Sequence, residues 1–341
     1  MTGDAKMQNG KLPERATLRD VARLAGVSEI SVSRVMRRAP HISDALREKV
    51  VVAANTLGYT PNRVAGALKT ATSNLVAVVL PSMSNEVFPE VLDGIESVLS
   101  GHGLCPVLGI TQYDSGRELE VVRELLSWSP VGIILTGLDQ DAAIRRILLH
   151  QNIPIVQIMD VEGTPLHAAV GIAHGQAARD AAELLIERGY RKPAYIGAWA
   201  ERPSRSRIRR QAFEARLAER GHPLVTAQIS AKKSSVQTGA EVTQALLATH
   251  PAVDAIFYAN DDLAIGGMFH CMKSGLAIPG DVGLLGFNGI SFGQAAPIQL
   301  ATIQTPRFEM GKRAASLLIE KNAAKGLIVD LGYRISVGSS L

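Results

Sequence analysis

The sequence predicts an all-α head with a helix-turn-helix, followed by an α/β core built on parallel sheets. In residues 17–58, apolar side chains recur at helical spacing, and turn and capping residues separate the segments. From residue 74 onward, short apolar runs alternate with amphipathic segments, which is the pattern of a parallel sheet covered by helices on both faces. The chain has 341 residues, 46% of them hydrophobic, so we expect two or three domains.

The first helix is predicted to begin at Leu18. Thr17 and Asp20 have the spacing of a capping box, in which each side chain accepts a backbone N–H group that the helix start leaves free. Gly26 supplies the positive φ that ends a helix and opens a tight turn. Ser28 is then placed to cap a second helix.

The second helix is predicted to bury Val32 and Val35 against the first helix, where Ala22 is small enough to allow a close crossing. Ser43 caps a third helix that runs to about Leu57. Helical hairpins with a glycine corner also occur in proteins that never touch nucleic acid, so the hairpin alone leaves both interpretations open.

The charge distribution indicates a polyanionic partner for the head. Residues 1–72 hold twelve Lys or Arg against six Asp or Glu, a balance of +6, whereas the whole chain is +4. All of the excess positive charge therefore belongs to about a fifth of the chain, as expected of a protein whose head binds nucleic acid.

The outward face of the second helix is predicted to enter the major groove. Arg34 is the strongest base-reading candidate because its guanidinium can fork onto two guanine acceptors. Ile30 can pack on a thymine methyl, and Glu29 either accepts from a cytosine amine or repels wrong sites. Serines at the helix start would hold phosphates. The contacts predicted for the two helices are Thr17, Leu18, Ser28, Glu29, Ile30, Ser31, Ser33 and Arg34.

The segment after the head is predicted to be a hinge helix that folds conditionally. It starts with Pro61, has Gly66 in its interior and is too short to be stable alone, so it would order only on DNA or against a twin chain. Leu68 is predicted to wedge into the minor groove; the alternative is that it packs on the following domain. The predicted hinge contacts are Asn62, Arg63, Ala65 and Leu68.

The core is predicted to hold at least seven strands and six helices, enough for two sheets. The strand candidates are residues 75–80, 104–110, 131–135, 154–158, 193–197, 253–258 and 282–287. The helix candidates between them are residues 90–99, 117–126, 177–188, 208–220, 239–248 and 263–274.

Several classes of protein are excluded by what the sequence does not contain. No apolar run reaches the length of a membrane span and residues 1–16 lack the pattern of a secretory signal, which predicts a cytosolic protein. Cys105 and Cys271 fit no zinc-ligand spacing and are expected to be reduced core thiols, with no metal and no cofactor. No phosphate-binding loop, dinucleotide fingerprint, nucleophile elbow or metalloprotease motif is present, which disfavours a sugar-acid kinase or dehydrogenase.

A set of motifs along the chain resembles the lac repressor/galactose repressor family of bacterial transcription regulators. In the head the motifs are TLRDVARLAGVS (residues 17–28), VSRV (32–35) and LGYTPNRVA (57–65). In the core they are LPS (80–82), RGY (188–190), NDDLA (260–264) and LATI (300–303). The resemblance covers essentially the whole chain. It implies a DNA-binding head over residues 17–59 after a flexible terminus at 1–16, a hinge over 60–72, and a two-lobed, periplasmic-binding-protein-like core over 73–341.

The resemblance also implies a repressor that binds pseudo-palindromic operator DNA as a homodimer or a dimer of dimers. Within the family the chain is most similar to the gluconate-responsive repressors, on the stretches LPSMSNEVF (80–88), LSW (126–128) and LGY (331–333). The effector is expected to act as an inducer, with a corepressor as the alternative. Ketogluconate, phosphorylated sugar acids and neutral sugars are the alternative effectors. A transport-type binding protein would need an export signal and would have no basic head.

The effector cleft is expected at the carboxyl ends of the strands, where open parallel sheets bind ligands. By resemblance the effector-binding residues are Ser82, Asn85, Phe88, Asp160, Ile172, Arg209, Asn260, Asn288 and Thr305. Arg209 would fork onto a carboxylate, although Ala212 departs from the glycine that the family usually has after that arginine. Residues 201–210 contain five arginines, of which Arg202 and Arg207 are assigned to the solvated surface.

Overall fold

The computed structural model of the chain describes residues 16–37, 39–60, 73–84, 86–199, 204–320 and 325–341. The chain divides into two compact units, Met1–Ala71 and Thr72–Leu341. Some predicted contacts lie outside the described residues: Asn62, Arg63, Ala65 and Leu68 of the hinge, and Asn85 of the cleft.

In the described part of the first unit, three helices form the head, as predicted. Its helices are α1 (Leu18–Ala25), α2 (Glu29–Met36) and α3 (Asp44–Thr56). One side chain from each helix is fully buried at the centre of the head: Val21, Val32 and Val50. Burial of these apolar side chains holds together helices that are too short to be stable alone.

The predicted capping residues of the head are confirmed. The Thr17 hydroxyl accepts from the Asp20 backbone N–H at 3.3 Å, and the Asp20 carboxylate accepts from the Thr17 N–H at 3.0 Å. Gly26 ends α1 with a φ of 61°, a left-handed conformation that costs glycine little. Ser28 caps α2 through its Oγ, which accepts from the Ser31 N–H at 3.1 Å.

The second unit has two lobes, each on a six-stranded sheet with the same strand order. The first lobe contains β1 (Leu75–Leu80), β2 (Cys105–Ile110), β3 (Gly132–Thr136), β4 (Ile155–Asp160), β5 (Ala168–Ile172) and β11 (Leu327–Asp330). The second contains β6 (Pro193–Gly197), β7 (Thr226–Ile229), β8 (Ala255–Tyr258), β9 (Gly283–Asn288), β10 (Ala301–Gln304) and β12 (Arg334–Ser336). Their orders are β2-β1-β3-β4-β5-β11 and β7-β6-β8-β9-β10-β12, and every described pairing is parallel except β10 with β12.

Helices cover the sheets. Those of the first lobe are α4 (Val87–Leu99), α5 (Ser115–Ser127), α6 (Ala142–Leu149) and α12 (Arg307–Ile319). Those of the second are α7 (His174–Glu187), α8 (Ser204–Glu219), α9 (Val236–Thr249), α10 (Asp261–Lys273) and α11 (Ser291–Ala295). Helices α4 and α12 pack closely because each has a glycine, which has no Cβ, at the contact. A Cβ at Gly94 would lie only 2.0 Å from the Phe308 carbonyl oxygen, and one at Gly311 only 1.9 Å from the Val91 oxygen.

The chain crosses between the lobes three times. It passes from β5 to α7, returns from β10 to α12 and β11, and crosses again from β11 to β12. In each sheet the strand order reverses its direction at one point. This point lies between β1 and β3 in the first lobe and between β6 and β8 in the second. Loops that leave the carboxyl ends of the strands at such a point form a crevice, which is where open α/β sheets bind ligands.

The prediction of two core thiols is wrong for one cysteine. Cys271 is buried, as predicted, but Cys105 is exposed because it lies on β2, the edge strand of its sheet. Among the described residues, no helix is both long enough and apolar enough to cross a membrane.

Candidate functional site

The recognition face of the head is the outer surface of α2. Val32 and Val35 are buried beneath the helix, while the Ile30 side chain on the other face is 73% exposed. The Arg34 side chain is also exposed and makes no hydrogen bond or ion pair within the described part of the chain. Its five N–H donors are therefore available to a nucleic-acid ligand.

Other predicted head contacts already have structural partners. Thr17 is engaged in the capping box, and Leu18 is half-buried against the core of the head. The Ser33 hydroxyl accepts from Arg37 Nε at 3.2 Å, which fixes a second cation beside Arg34. These contacts set the geometry of the helix starts and of the basic face.

In the second unit a cavity of about 320 Å³ lies between the two lobes. Five of the predicted effector residues line it: Ser82, Phe88, Arg209, Asn260 and Asn288. Three others are buried outside its lining, namely Asp160, Ile172 and Thr305. The lining residues that were not predicted as effector contacts include Ser84, Tyr113, His174, Trp199, Arg205, Ser206, Ser234 and Asp262.

Arg209 forms part of the cavity wall and is held on three sides. Its Nη1 donates to His174 Nδ1 at 3.0 Å, and its Nη2 donates to the Ala259 carbonyl oxygen at 2.8 Å. Its guanidinium carbon lies 4.0 Å from the centroid of the Phe287 ring, a cation–π distance. Burial lowers the pKa of Arg209 to about 10, so the side chain is still charged at neutral pH. Its Nε is buried and has no hydrogen-bond partner among the residues that the structure describes.

His174 is neutral and in one tautomer. Burial, with the Arg209 and Arg205 charges, lowers its pKa well below 6.5. Its Nε2 lies 2.9 Å from the Met159 carbonyl oxygen, which only accepts, so Nε2 carries the proton and Nδ1 accepts from Arg209. A neutral imidazole therefore orients a buried cation without neutralising it.

Arg205 is a second buried cation in the same cavity. Its side chain is 93% buried, with 7% relative exposure, and it makes no hydrogen bond or ion pair among the described residues. A Cβ placed at Gly137, at the end of β3 in the first lobe, would lie 2.9 Å from Arg205 Nη1. Arg205 belongs to α8 of the second lobe, so its side chain spans the cleft.

Arg205 and Arg209 are separated by one helical turn on α8, whereas Arg207 lies on the opposite, exposed face. The spacing of four residues within the arginine-rich segment is the sequence signal that identifies Arg205. The placement of Arg207 at the surface agrees with its assignment. Arg202 lies outside the described residues.

Asn288 projects into the cavity from a strained loop that buried polar groups hold in place. Its φ is 113°, and its carbonyl oxygen accepts from the Thr305 N–H at 3.2 Å and from Arg307. Asp261 holds the next two residues, since its carboxylate accepts from the Gly289 and Ile290 N–H groups at 2.7 and 2.8 Å. Thr305 thus positions Asn288 from outside the cavity lining.

Aromatic side chains form another wall. The rings of Tyr113, from the loop after β2, and Trp199, from the loop after β6, lie 5.2 Å apart between centroids, so one comes from each lobe. Lys233 Nζ lies 5.5 Å from the Trp199 centroid. Phe88 lines the cavity from α4. Such surfaces suit the C–H face of a polyol, while Asn260, which donates to Ser234 Oγ at 2.7 Å, suits its hydroxyls.

Polar contacts also join the lobes beside the cavity. The Glu86 carboxylate, at the start of α4, accepts from the Ser291 N–H at 2.9 Å and from the Ser291 hydroxyl at 2.8 Å. Arg307 forms an ion pair with Glu90 at 2.6 Å in the first lobe and donates to the Gly289 carbonyl oxygen at 3.3 Å in the second. These contacts hold the lobes in the present arrangement.

Two family profiles together match nearly the whole chain. One, described as "Bacterial regulatory proteins, lacI family", matches residues 17–62. The other, described as "Periplasmic binding proteins and sugar binding domain of LacI family", matches residues 73–328. The first covers the helix-turn-helix head, and the second covers both lobes that form the cavity.

Curated relatives and solved structures are similar over the same length. The chain is 36% identical to the HTH-type transcriptional regulator GntR of Escherichia coli (strain K12), over 96% of this chain and 99% of that protein. It is 33% identical to the HTH-type transcriptional regulator IdnR of the same organism, over 96% and 99%. A crystal structure of a LacI family transcriptional regulator from Silicibacter pomeroyi matches with a TM-score of 0.90 and 41% identity, over 95% of this chain and 99% of that one.

Proposed function

This chain belongs to the lacI family of bacterial regulatory proteins and is a DNA-binding transcriptional repressor, and we propose that its effector is a monoanionic sugar acid, D-gluconate. Gluconate would bind in the cleft of the core and release the repressor from operator DNA. The protein would act in the cytoplasm as a homodimer. Each head would read one half-site of a pseudo-palindrome, with Arg34 on a base and the start of α2 on phosphates.

The observation that carries the proposal is the charge of the cavity. Among the described lining residues, Arg205 and Arg209 are cations, Asp262 is a carboxylate, and His174 and Tyr113 are neutral. No carboxylate lies within ion-pair distance of either arginine in the described part of the chain. Two buried cations that lack a carboxylate partner are costly, and an anionic ligand would offset that cost.

The net charge of the lining also separates the candidate ligands. One excess positive charge matches gluconate or a ketogluconate, each of which carries one negative charge. A neutral sugar would leave the excess charge buried, and a phosphorylated sugar acid would bring more negative charge than the lining balances. The aromatic wall and the amides of Asn260 and Asn288 would then contact the polyol chain.

Release from DNA would follow from a change in the arrangement of the lobes. Effector in the cavity would favour an arrangement that separates the two hinge segments of the dimer, so that they no longer fold together on DNA. Operator must then weaken effector binding by the same factor as effector weakens operator binding. Tighter DNA binding with gluconate would instead identify a corepressor.

The test combines calorimetry with DNA binding by the full chain. Gluconate, 2-ketogluconate, 6-phosphogluconate and glucose are titrated separately, and a duplex selected by the protein from a random pool reports release. We expect gluconate to bind and to weaken duplex binding. Arg209→Ala should abolish this response without changing duplex affinity, while the exposed control Arg207→Ala keeps it. Equal gluconate affinity with and without the duplex would refute the coupling.

A further inference from the structure

We infer that Arg205, rather than Arg209, holds the carboxylate of the effector and makes the site selective for acids over neutral sugars. The inference deepens the proposed function and rests on it. It assigns different tasks to two arginines that lie one helical turn apart on α8 and line the same cavity. Arg205 would be the ligand's charge partner, and Arg209 a fixed part of the wall.

The first argument is that both terminal nitrogens of Arg209 are already held by protein acceptors. Both of its terminal nitrogens donate to protein acceptors, His174 and Ala259, and its plane is stacked on Phe287 at 4.0 Å. A bidentate contact with a carboxylate needs two free N–H groups on one edge of the guanidinium. Two of its five N–H groups are in use and a third, on Nε, is buried away from water, so Arg209 could offer a carboxylate only the remaining N–H group of each held nitrogen.

The second argument is that Arg205 is uncommitted although it is equally buried. Relative exposure is 7% for Arg205 and 8% for Arg209, yet no described side chain or carbonyl accepts from Arg205. A buried guanidinium is normally paired, because each unpaired donor forfeits its hydrogen bonds with water. Its fork is therefore the one that an incoming carboxylate can satisfy without displacing a protein contact.

The third argument is the surroundings of the Arg205 head group. Asp139 Oδ1 lies 2.7 Å from the position of a Cβ at Gly137, and Arg205 Nη1 lies 2.9 Å from the same point, yet the two side chains form no ion pair. Burial raises the pKa of the Glu118 and Asp160 carboxyls, and the Arg205 charge acts through space to lower it. Carboxyl groups of the first lobe thus attract the Arg205 side chain across the cleft. It lines the cavity there without a direct partner among the described residues.

The test compares two ligands that differ only at the charged end. D-Gluconate and D-glucitol share the same six-carbon polyol chain, with a carboxylate in one where the other has CH₂OH. Calorimetric affinities for both are measured with the unchanged full chain, Arg205→Gln, Arg205→Lys, Arg209→Gln and the exposed control Arg207→Gln. The ratio of the two affinities in each variant measures the recognition of the carboxylate alone.

We expect the unchanged chain to prefer gluconate and Arg205→Gln to lose about 30-fold in gluconate affinity, with glucitol affinity nearly unchanged. Arg205→Lys should recover part of the preference because it restores the charge but not the fork. Arg209→Gln should weaken both ligands alike, and Arg207→Gln neither.

A gluconate-to-glucitol ratio in Arg205→Gln equal to that of the unchanged chain overturns the assignment. Collapse of the ratio in Arg209→Gln alone would transfer the role to Arg209. If Arg205→Gln is destabilised and melts at a lower temperature, the gluconate-to-glucitol ratio of Arg205→Lys is compared with that of the unchanged chain instead, and equal ratios overturn the assignment. Failure of the unchanged chain to bind any sugar acid would remove the proposed function as well, and is distinct from the other outcomes.

Discussion

The buried imidazole of His174 predicts a specific loss of stability in acid. Its folded pKa lies well below 6.5 because of burial and two nearby arginines, while the unfolded chain titrates near 6.5. The unfolded state therefore binds a proton first as pH falls, so the stability contributed by the neutral imidazole is complete above pH 6.5 and is lost below it. The limiting slope is about 1.4 kcal/mol per pH unit below pH 6.5, over the range in which the folded imidazole stays neutral.

The perturbation that isolates this contribution is His174→Gln. Glutamine can donate to the Met159 carbonyl oxygen and accept from Arg209, so it keeps both hydrogen bonds in a side chain that does not titrate. Thermal midpoints of the core, measured by calorimetry from pH 7.5 to 5.0, should fall more steeply in the unchanged chain. The difference should grow by about 3 °C for each pH unit below 6.5. The exposed control His102→Gln should follow the unchanged chain, and parallel profiles for His174→Gln and the unchanged chain would refute a neutral buried His174.

Three further perturbations test other parts of the molecule. Arg34→Ala should relax base preference at one position of each half-site and weaken specific binding by about 1 to 3 kcal/mol per site, measured by selection from random duplexes; an unaltered preference would remove its assigned role. Glu86→Gln should weaken the contact with Ser291 that holds the lobes in their present arrangement and so change the duplex concentration needed for half-saturation; unchanged duplex binding would show that this contact does not matter. Asp261→Asn should lower the melting temperature, because the loop N–H groups lose a charged acceptor, at a cost of about 1.5 to 3 kcal/mol; an unchanged midpoint would contradict this.

The head was predictable nearly residue by residue because its determinants are local. Caps at Thr17 and Ser28, the turn at Gly26 and the helical spacing of the buried valines all act within a few residues. The core was less predictable. Seven of its described strands match the predicted runs, while β5, β7, β10, β11 and β12 were not predicted. Three of them, β7, β11 and β12, lie at sheet edges, and β11 and β12 pair with strands that precede a passage of the chain through the other lobe.

Some of the positions that the resemblance assigns to the effector do not line the cavity. Met159 lines the cavity and its neighbour Asp160 does not, since successive side chains of a strand point to opposite faces. Ile172 is likewise buried in its lobe, while His174, two residues later, reaches the cavity. The resemblance places a loop to within a residue or two, and the structure shows which of its side chains line the cavity.

The same geometry limits which contacts can couple effector to DNA. A ligand shifts an equilibrium between two lobe arrangements only through contacts whose strength differs between them. Contacts confined to one lobe, such as that of Arg209 with Ala259, keep the same strength as the lobes move. Contacts that span the cleft do not, and these include Glu86 with Ser291 and the approach of Arg205 to Gly137. A carboxylate bound to Arg205 competes with the attraction of the first lobe for that cation. We therefore expect the response of the DNA-binding equilibrium, and not only effector affinity, to depend on Arg205.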